Sequence, residues 1–276
     1  QAHSAGRTIE ESCGGMSRAK RGDPLGAAQP RRLSGVGAPP PPQRASRPRS
    51  PSARMSSGSV SIPTLNEQDW IAGAVESAFA AGAAEVIVAD GGSDDRTTRH
   101  ATAAGARVLL TERMRAKQSN LGAHAATHDT LIFLHADTRL PADAASAIDD
   151  ALHHAHFGGF RINFIEPSRR LAFAAAAINL RTRLTRCPWG DQAQFIRRET
   201  FLEIGGFNEM PLMEDYELAI RMKRRGLTTI LPMTVTTSGR RFLRKGLVRT
   251  AARNWRTVIA YRMGADIDDL ARSYRR

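Results

Sequence analysis

Short apolar runs alternate with helical segments beyond residue 55, and this alternation constrains the fold more than any other feature. Four segments are short, apolar and bounded by turn residues, as buried strands are: Ser59–Pro63, Glu85–Ala89, Arg107–Leu110 and Thr130–Leu134. Strands separated by helices at this spacing form right-handed βαβ units. The sequence therefore predicts one α/β domain with a mostly parallel central sheet flanked by helices.

The second half of the chain continues the pattern with fewer strands. A helix is predicted after Pro141 as far as about His154, and the strand Gly159–Ile165 follows it. The next predicted elements are a helix, a strand and a loop with a helix, at Leu171–Arg186, Gln194–Arg197 and Pro211–Arg225. Residues 246–263 are predicted to form an amphipathic helix with arginines among its polar positions.

Residues 1–54 differ in composition from the rest of the chain. They contain ten Lys and Arg against three acidic residues, so they carry +7 of the net charge of +13 and leave +6 for the remainder. Their Pro-, Arg- and Ser-rich sequence predicts disorder. Three interpretations stay open: a product of upstream translation with Met55 as the true start, an organelle transit peptide that directs import, or a genuine basic tail. We divide the chain into an extension, residues 1–55, and a domain, residues 56–276.

The two cysteines and the hydropathy indicate a compartment. Cys13 and Cys187 form no disulfide framework and no zinc motif, which favours a reducing compartment, and we expect the cytoplasm. No stretch reaches the roughly eighteen apolar residues of a membrane span.

The basic excess favours a phosphorylated substrate or an anionic membrane face over a nucleic acid, because aromatic residues are not interleaved with the basic ones.

Three polar clusters directly follow predicted strands. They are Thr64 with Asn66 and Glu67, the run Asp90–Asp95, and the run His135–Asp137. Ligands of parallel sheets bind beyond the carboxyl ends of the strands, so we expect the clusters to share one rim. A helix cap at Ser93 or Asp94 and a turn cap at Asp137 are the alternative interpretations.

His135-Ala136-Asp137 is the most specific of these clusters. An imidazole and a carboxylate two residues apart at a strand end can reach one divalent cation that bridges a diphosphate. Mg²⁺ or Mn²⁺ with few protein ligands and several phosphate oxygens is the usual arrangement in such sites. We therefore predict a metal site at His135 and Asp137.

Four motifs resemble the donor half of family 2 glycosyltransferases: VSIPTLNE, VIVADGGSDDRT, RAKQSNLGA and LIFLHADTRLP. Their acceptor half is resembled by a later stretch, GDQAQFIRRETFLEIGGFNEMPLMEDYELAIRMKRRG. The resemblance implies a GT-A type fold, a single Rossmann-like domain with a donor half at about 58–140 and an acceptor half at about 141–238. The chain looks most like the branch of rSAM/selenodomain-associated transferases, whose metal motif reads His-Ala-Asp. Most relatives have Asp-x-Asp there, so the preferred ion is open.

The resemblance and the polar clusters together imply roles for individual residues. A nucleotide-diphosphate sugar, with UDP favoured, would contact Thr64, Asn66, Glu67, Asp90, Gly91, Ser93, Arg115, Gln118, Asn120, His135 and Arg241. The acceptor would contact Trp189, Gly190, Asp191 and Gln192. Asp215 would be the general base of an inverting transfer, with Glu214 as the alternative, unless the acidic pair merely starts a helix.

The C-terminal segment allows two interpretations at each feature. Arg240 and Arg241 follow a small-residue loop, Thr236–Gly239, and either close over the diphosphate or form a solvated basic patch. The basic helix at 246–263 either lies on an anionic membrane as a peripheral contact or packs on its own domain. Trp189 either stacks on a sugar or packs in the core.

Two rival functions remain. A sugar-phosphate nucleotidyltransferase would carry a glycine-rich loop with a basic residue directly after the first strand, and this chain has Pro63–Glu67 in that place. A non-catalytic module that binds a nucleotide sugar or a lipid phosphate would use the basic C-terminal helix. Transfer or hydrolysis from a panel of sugar nucleotides distinguishes the module from an enzyme.

Overall fold

The computed structural model describes residues 58–275, and the extension predicted for residues 1–55 lies outside this part of the chain. Its strands are β1 (Ser59–Thr64), β2 (Glu85–Asp90), β3 (Arg107–Leu110), β4 (Thr130–Phe133), β5 (Thr138–Arg139), β6 (Phe157–Phe164), β7 (Gln194–Arg197) and β8 (Thr228–Thr237). Its helices are α1 (Ile71–Ala80), α2 (Thr97–Ala103), α3 (Arg115–Ala125), α4 (Ala144–Leu152), α5 (Arg169–Thr185), α6 (Arg198–Glu203), α7 (Glu214–Arg225), α8 (Arg240–Lys245), α9 (Leu247–Arg262) and α10 (Ile267–Arg275), and Gly190–Gln192 forms a 3₁₀ turn.

The strands form one mixed sheet in the order β3-β2-β1-β4-β7-β6-β8-β5. Parallel pairs join β1 to β2 and β4, β2 to β3, and β6 to β8, whereas β7 runs antiparallel to β4 and β6, and β5 antiparallel to β8. This arrangement confirms the predicted α/β fold with a mostly parallel sheet flanked by helices. The carboxyl ends of β1, β2 and β4 lie at the same edge of the sheet.

Alternating side chains of the strands enter two apolar clusters. Val60 and Ile62 of β1 pack in one cluster together with Ile132 of β4. The neighbouring residues of β4, Leu131 and Phe133, pack in the other cluster. Because successive strand residues point to opposite faces, the sheet has a core on both sides, which explains why its strands read as continuous apolar runs.

Most predicted elements are present within a few residues of their expected bounds, and the helix predicted at 246–263 is α9. The strand β8 is not predicted from the sequence, and Thr236, expected in a loop, lies within it. Pairing with β6 over its length stabilises β8, with an irregularity between Phe160 and Arg161. Such distant pairing leaves no local signal in a threonine-rich segment that contains Pro232. None of the helices described is long and apolar enough to cross a membrane.

Candidate active site

The loops that follow β1 and β2 are joined by hydrogen bonds at the carboxyl edge of the sheet. Asn66 has a left-handed backbone with φ of 54°, and its N–H donates to Ser93 Oγ at 2.9 Å. Its side-chain carbonyl accepts a hydrogen bond from the Asp94 N–H at 3.0 Å. The Glu67 N–H donates to Thr97 Oγ1 at 2.8 Å. The first two predicted polar clusters therefore form one loop assembly.

Asp90 is buried and organises the turn after β2. Its Oδ2 accepts hydrogen bonds from the N–H of Gly92 at 3.0 Å and of Ser93 at 2.8 Å. Gly92 has a φ of +87°, which glycine adopts without the strain of a side chain. A Cβ on Gly91 would lie 3.2 Å from Gln118 Nε2, so this position is closely packed. The Asp90 carboxylate thus holds the loop in shape.

Gln118 and Asn120 fasten α3 to neighbouring backbone. Gln118 Nε2 donates to the carbonyl oxygen of Thr64 at 2.7 Å and to that of Ala89 at 2.8 Å, so it joins the ends of β1 and β2. Asn120 makes two hydrogen bonds of 2.9 Å with the backbone of Phe207. Both side chains therefore hold the loops in place, and their contact with a nucleotide stays a prediction.

The predicted metal motif at the end of β4 lies beside an arginine from α8. Arg240 donates to Glu67 Oε1 at 2.5 Å and lies 3.2 Å from Asp137 Oδ2. Burial and the nearby Arg115 lower the pKa of His135 to about 4, although neighbouring carboxylates oppose the shift. The His135 imidazole is therefore neutral near pH 7, the state in which histidine ligates a metal.

The two acidic residues at the start of α7 have different environments. Glu214 is buried, with Arg115 at 3.3 Å, and burial raises the pKa of Glu214 against the effect of Arg115. Asp215 is partly exposed, and its Oδ2 accepts a hydrogen bond from the Gly190 N–H at 2.6 Å. Its Oδ1 accepts from the Tyr216 N–H at 2.7 Å. Asp215 is thus the more accessible carboxylate, held in a fixed orientation.

Gly190 brings the histidine and this carboxylate to the same place. A Cβ on Gly190 would lie 2.8 Å from His135 Nε2 and 2.9 Å from Asp215 Oδ2. Real Cβ atoms essentially never approach other atoms so closely. The end of β4 and the start of α7 therefore meet across a position that only glycine fits.

Three buried polar atoms near these loops have no hydrogen-bond partner: Thr64 Oγ1, Glu67 Oε2 and Asp191 Oδ1. Burial, supported by nearby carboxylates and opposed by Arg181, raises the pKa of Asp191 to about 6. Buried polar groups are normally paired, so unpaired ones at a strand edge suit a polar ligand.

The predicted acceptor residues form a packed turn. Gln192 is buried, and its Nε2 donates to the carbonyl oxygen of Phe160 at 2.8 Å. Its Oε1 accepts from Arg181 at 2.9 Å and from the Trp189 N–H at 3.1 Å. The Arg181 guanidinium lies 3.6 Å above the centre of the Trp189 ring, so it covers one face of the indole. Gln192 therefore stabilises the turn that presents Gly190.

The two neighbouring arginines of α8 point to different partners. Arg240 reaches Glu67 and Asp137, whereas the Arg241 guanidinium lies 4.4 Å from the centre of the Tyr274 ring of α10. The position of Arg181 over Trp189 is not predicted from the sequence, where it resembles one more charge on a solvated helix. Only the packing of α5 against the 3₁₀ turn reveals it.

A metal here would have few protein ligands. Within residues 58–275, no group of three or more His, Cys, Asp and Glu is arranged to hold an ion. His135 and Asp137 supply a neutral nitrogen and a carboxylate oxygen, which fit Mn²⁺ or Mg²⁺ when phosphate oxygens complete the coordination. The unpaired Glu67 Oε2 and Asp191 Oδ1 add oxygen atoms near the same loops.

The first part of the domain is similar to a known family. The model of glycosyl transferase family 2 matches residues 59–189. This part of the chain is therefore similar to glycosyltransferase family 2. The match covers β1 to the turn before Gly190 and therefore contains His135 and Asp137 but neither acid of α7. A comparison with curated proteins gave no match.

Solved structures show the same fold as this domain. TarS 1–349 from S. aureus is similar with a TM-score of 0.52 and 16% identity, over 65% of this chain and 60% of that chain. Glucosyl-3-phosphoglycerate synthase from Mycobacterium tuberculosis, in complex with Mn²⁺, uridine-diphosphate and glucosyl-3-phosphoglycerate, is similar with a TM-score of 0.51 and 18% identity, over 75% of this chain and 80% of that chain. The chain spans less than two thirds of the first matching structures, 64% of a mycobacterial protein and 60% of TarS 1–349. The fold therefore matches that of GT-A glycosyltransferases.

Proposed function

We propose that the protein transfers a sugar from a nucleotide-diphosphate sugar, with UDP favoured, to an acceptor hydroxyl with inversion at the sugar carbon. The observation that carries the proposal is the placement of Asp215. Its partly exposed carboxylate is held by the Gly190 N–H at 2.6 Å, and its Oδ2 and His135 Nε2 both lie within 3 Å of the point that a Cβ on Gly190 would occupy. An inverting transfer needs one such carboxylate to accept the proton of the attacking hydroxyl.

Glu214 is less suited to act as the base. It is buried, and Arg115 lies 3.3 Å from its carboxylate. Glu214 would have to break this ion pair before it could accept a proton from the acceptor. The Asp215 carboxylate accepts its hydrogen bonds from backbone N–H groups, which orient it without a direct ion pair. We therefore assign proton transfer to Asp215. Glu214 instead holds the Arg115 side chain in position.

The donor would lie at the loops after β1 and β2. Arg240 extends towards these loops from α8. The loops are lined or shaped by Thr64, Asn66, Glu67, Asp90, Gly91 and Ser93. The synthase structure holds Mn²⁺ with UDP, and TarS structures hold UDP or UDP-GlcNAc, which are properties of those proteins and our reason for favouring UDP. His135 and Asp137 would hold Mn²⁺ or Mg²⁺, and when bound the cation would stabilise the charge of the leaving diphosphate.

The identity of residue 135 supports a finer placement. Within the family, we propose that the chain belongs to the branch of rSAM/selenodomain-associated transferases, because its motif reads His135-Ala136-Asp137. The neutral imidazole leaves the site with one negative charge fewer than an Asp-x-Asp motif has. We therefore expect weaker binding of the cation without nucleotide than in relatives with two aspartates.

Asp215→Asn tests the assignment of the base. Release of UDP from a panel of UDP-sugars should fall by about 10²–10⁴-fold, the usual contribution of a general base. Binding of UDP with Mn²⁺, measured by calorimetry, should stay close to that of the wild type. Full turnover in Asp215→Asn would exclude Asp215 from the mechanism.

Glu214→Gln is the matched control, because it alters the adjacent carboxylate of the same helix. We expect a lower melting temperature from the loss of the ion pair with Arg115, with a smaller loss of turnover than in Asp215→Asn. Asp137→Ala should remove the Mn²⁺-dependent part of UDP binding. Wild-type protein that binds UDP-sugars without releasing UDP or transferring sugar would support the non-catalytic module instead.

A further inference from the structure

Helix α5 exposes a stripe of large apolar side chains. Phe173, Leu180 and Leu184 are spaced seven and four residues apart, which places them on one side of a helix. Phe173 is 71% exposed and Leu184 is 74% exposed. The opposite side of the helix packs on the domain through Leu171 and Ala174. The stripe is therefore not needed for the core.

Helix α9 exposes a second stripe of the same kind. Val248, Trp255, Ile259 and Met263 recur at helical spacing, and Val248 and Met263 are each 81% exposed. Thr250 and Thr257, on the other side of the helix, are buried. Leu243 of α8 is also exposed. A helix that packs only on its own domain has no use for these side chains on its solvent side.

The two stripes belong to neighbouring helices. Leu247, at the start of α9, packs against the cluster that contains Leu171 and Ala174 of α5. Residues of α5 and α9 also lie in direct contact. The two helices are therefore neighbours on the domain. We call their exposed apolar residues the apolar face: Phe173, Leu180, Leu184, Leu243, Val248, Trp255, Ile259 and Met263.

The helices that carry the apolar face contain only basic charged residues. Residues 169–185 contain four arginines, residues 240–263 contain seven arginines and one lysine, and neither segment contains Asp or Glu. Partial desolvation and then the surrounding arginines lower the pKa of Lys245, which reflects how concentrated the positive charge is. The nearest acidic residues along the chain are Glu166 before α5 and Asp266 after α9.

We propose that the apolar face docks on the surface of an anionic lipid bilayer. Amphipathic helices with Leu, Phe or Trp on one side and arginines beside them bind in the interface, where apolar side chains enter the acyl boundary and cations contact lipid phosphates. A symmetric dimer through this face would bring the arginines of two copies together, which is unfavourable. A nucleic acid would contact the arginines but would leave the apolar side chains without a partner.

The docking face is connected to the predicted acceptor turn. Tyr261 of α9 makes an edge contact with Tyr216, with ring centres 6.1 Å apart, and Tyr216 makes one with Trp189 at 6.3 Å. A bilayer under α5 and α9 would therefore lie on the acceptor side of the domain. The docking itself requires no sugar transfer, so its failure would leave the proposed function untouched.

The test is sedimentation of the full chain with vesicles of phosphatidylcholine alone and with phosphatidylglycerol added, at low and high salt. The wild type should bind the anionic vesicles more tightly, and salt should weaken binding because it screens the charges. Leu180→Gln with Trp255→Gln should weaken binding about a hundredfold, because each loses apolar burial equivalent to about tenfold in affinity. Brominated lipids should quench part of the tryptophan fluorescence in the wild type and less in Trp255→Phe.

Matched controls come from β3, at the far edge of the sheet. Leu110 is 74% exposed, so Leu110→Gln makes the same chemical change outside the apolar face and should leave binding unchanged. Arg249→Glu with Arg256→Glu should weaken binding, whereas Arg107→Glu should not. Absent binding, or equal binding by the Leu180→Gln with Trp255→Gln variant, would overturn the proposal, because in the second case the basic residues 1–54 would account for it. Dimers that these substitutions dissociate, without vesicle binding, would overturn it in favour of an interface between copies.

Discussion

Replacing Arg240 with alanine tests how the site is held before any ligand arrives. The Arg240 guanidinium donates to Glu67 Oε1 at 2.5 Å and lies 3.2 Å from Asp137 Oδ2. Without it, two carboxylates from different loops face each other with no cation between them. We therefore expect Arg240→Ala to lower the melting temperature of the free protein and to weaken the binding of UDP.

The exposure and charge of Arg240 and its partners determine how much stability and UDP affinity Arg240→Ala should lose. A hydrogen bond between charged groups contributes about 1.5–3 kcal/mol, and exposed ion pairs contribute about 0–1 kcal/mol. The Arg240 side chain is 39% exposed while its partners are 18–20% exposed, so about 1 kcal/mol is a reasonable value. For a domain of this size that is about 2–4 °C in melting temperature. One lost contact to a diphosphate would weaken UDP binding by roughly 10- to 100-fold.

Arg241→Ala is the matched control, one residue away on the same helix. Its guanidinium lies over Tyr274, so we expect a loss of about 0.5–1 kcal/mol of stability and unchanged UDP affinity. Differential scanning fluorimetry and calorimetry with UDP and Mn²⁺ measure both quantities. If Arg241→Ala weakens UDP binding and Arg240→Ala does not, the sequence-based assignment of Arg241 to the donor is right. Unchanged stability and unchanged affinity in Arg240→Ala would refute the reasoning.

Two further predictions concern stability. Burial alone would raise the pKa of Glu85, but hydrogen bonds from Ser59, Thr127 and His128 outweigh it and lower this pKa to about 2. Because the folded pKa is depressed, Glu85 contributes stability above its ordinary pKa of 4.5 and loses it as pH falls towards 2. Glu85→Gln should thus lower the free energy of unfolding by about 1–2 kcal/mol at pH 7, allowing for solvent screening. In urea unfolding, the difference in this free energy between the wild type and the variant should shrink steadily below pH 4.5. A difference independent of pH would contradict this. A Cβ on Gly122 of α3 would lie 2.1 Å from Ser61 Oγ and 2.9 Å from Ser61 Cβ, so Gly122→Ala should lose about 1–3 kcal/mol. Gly73→Ala in α1, where the added atom meets only the flexible end of Arg139, should be neutral or stabilising by up to about 1 kcal/mol, and equal losses in both variants would show that the contact with Ser61 does not matter.

The donor side of the site is predictable because its residues are close in sequence to the strands that place them. A strand end fixes where Thr64, Asp90 and His135 begin to project, and the apolar runs before them identify the strands. The sequence does not indicate which of these side chains contact a ligand and which hold the loops in place. Gln118 looks like a nucleotide contact on a helix start, yet its amide joins the ends of two strands. The same residue type suits both roles, and only the geometry distinguishes them.

The acceptor side depends on contacts that no local pattern records. Asp215 is predicted only through a resemblance, and its partner, the Gly190 N–H, comes from a turn twenty-five residues earlier. Arg240 reaches Glu67 across a separation of 173 residues, because β8 pairs with β6 and so delivers α8 to the edge where β1 ends. The strand that makes this possible is not predicted from the sequence. A substitution that weakens β8, such as Val235→Pro in its buried part, should therefore impair the site through the loss of Arg240, even though β8 supplies no residue to the proposed chemistry.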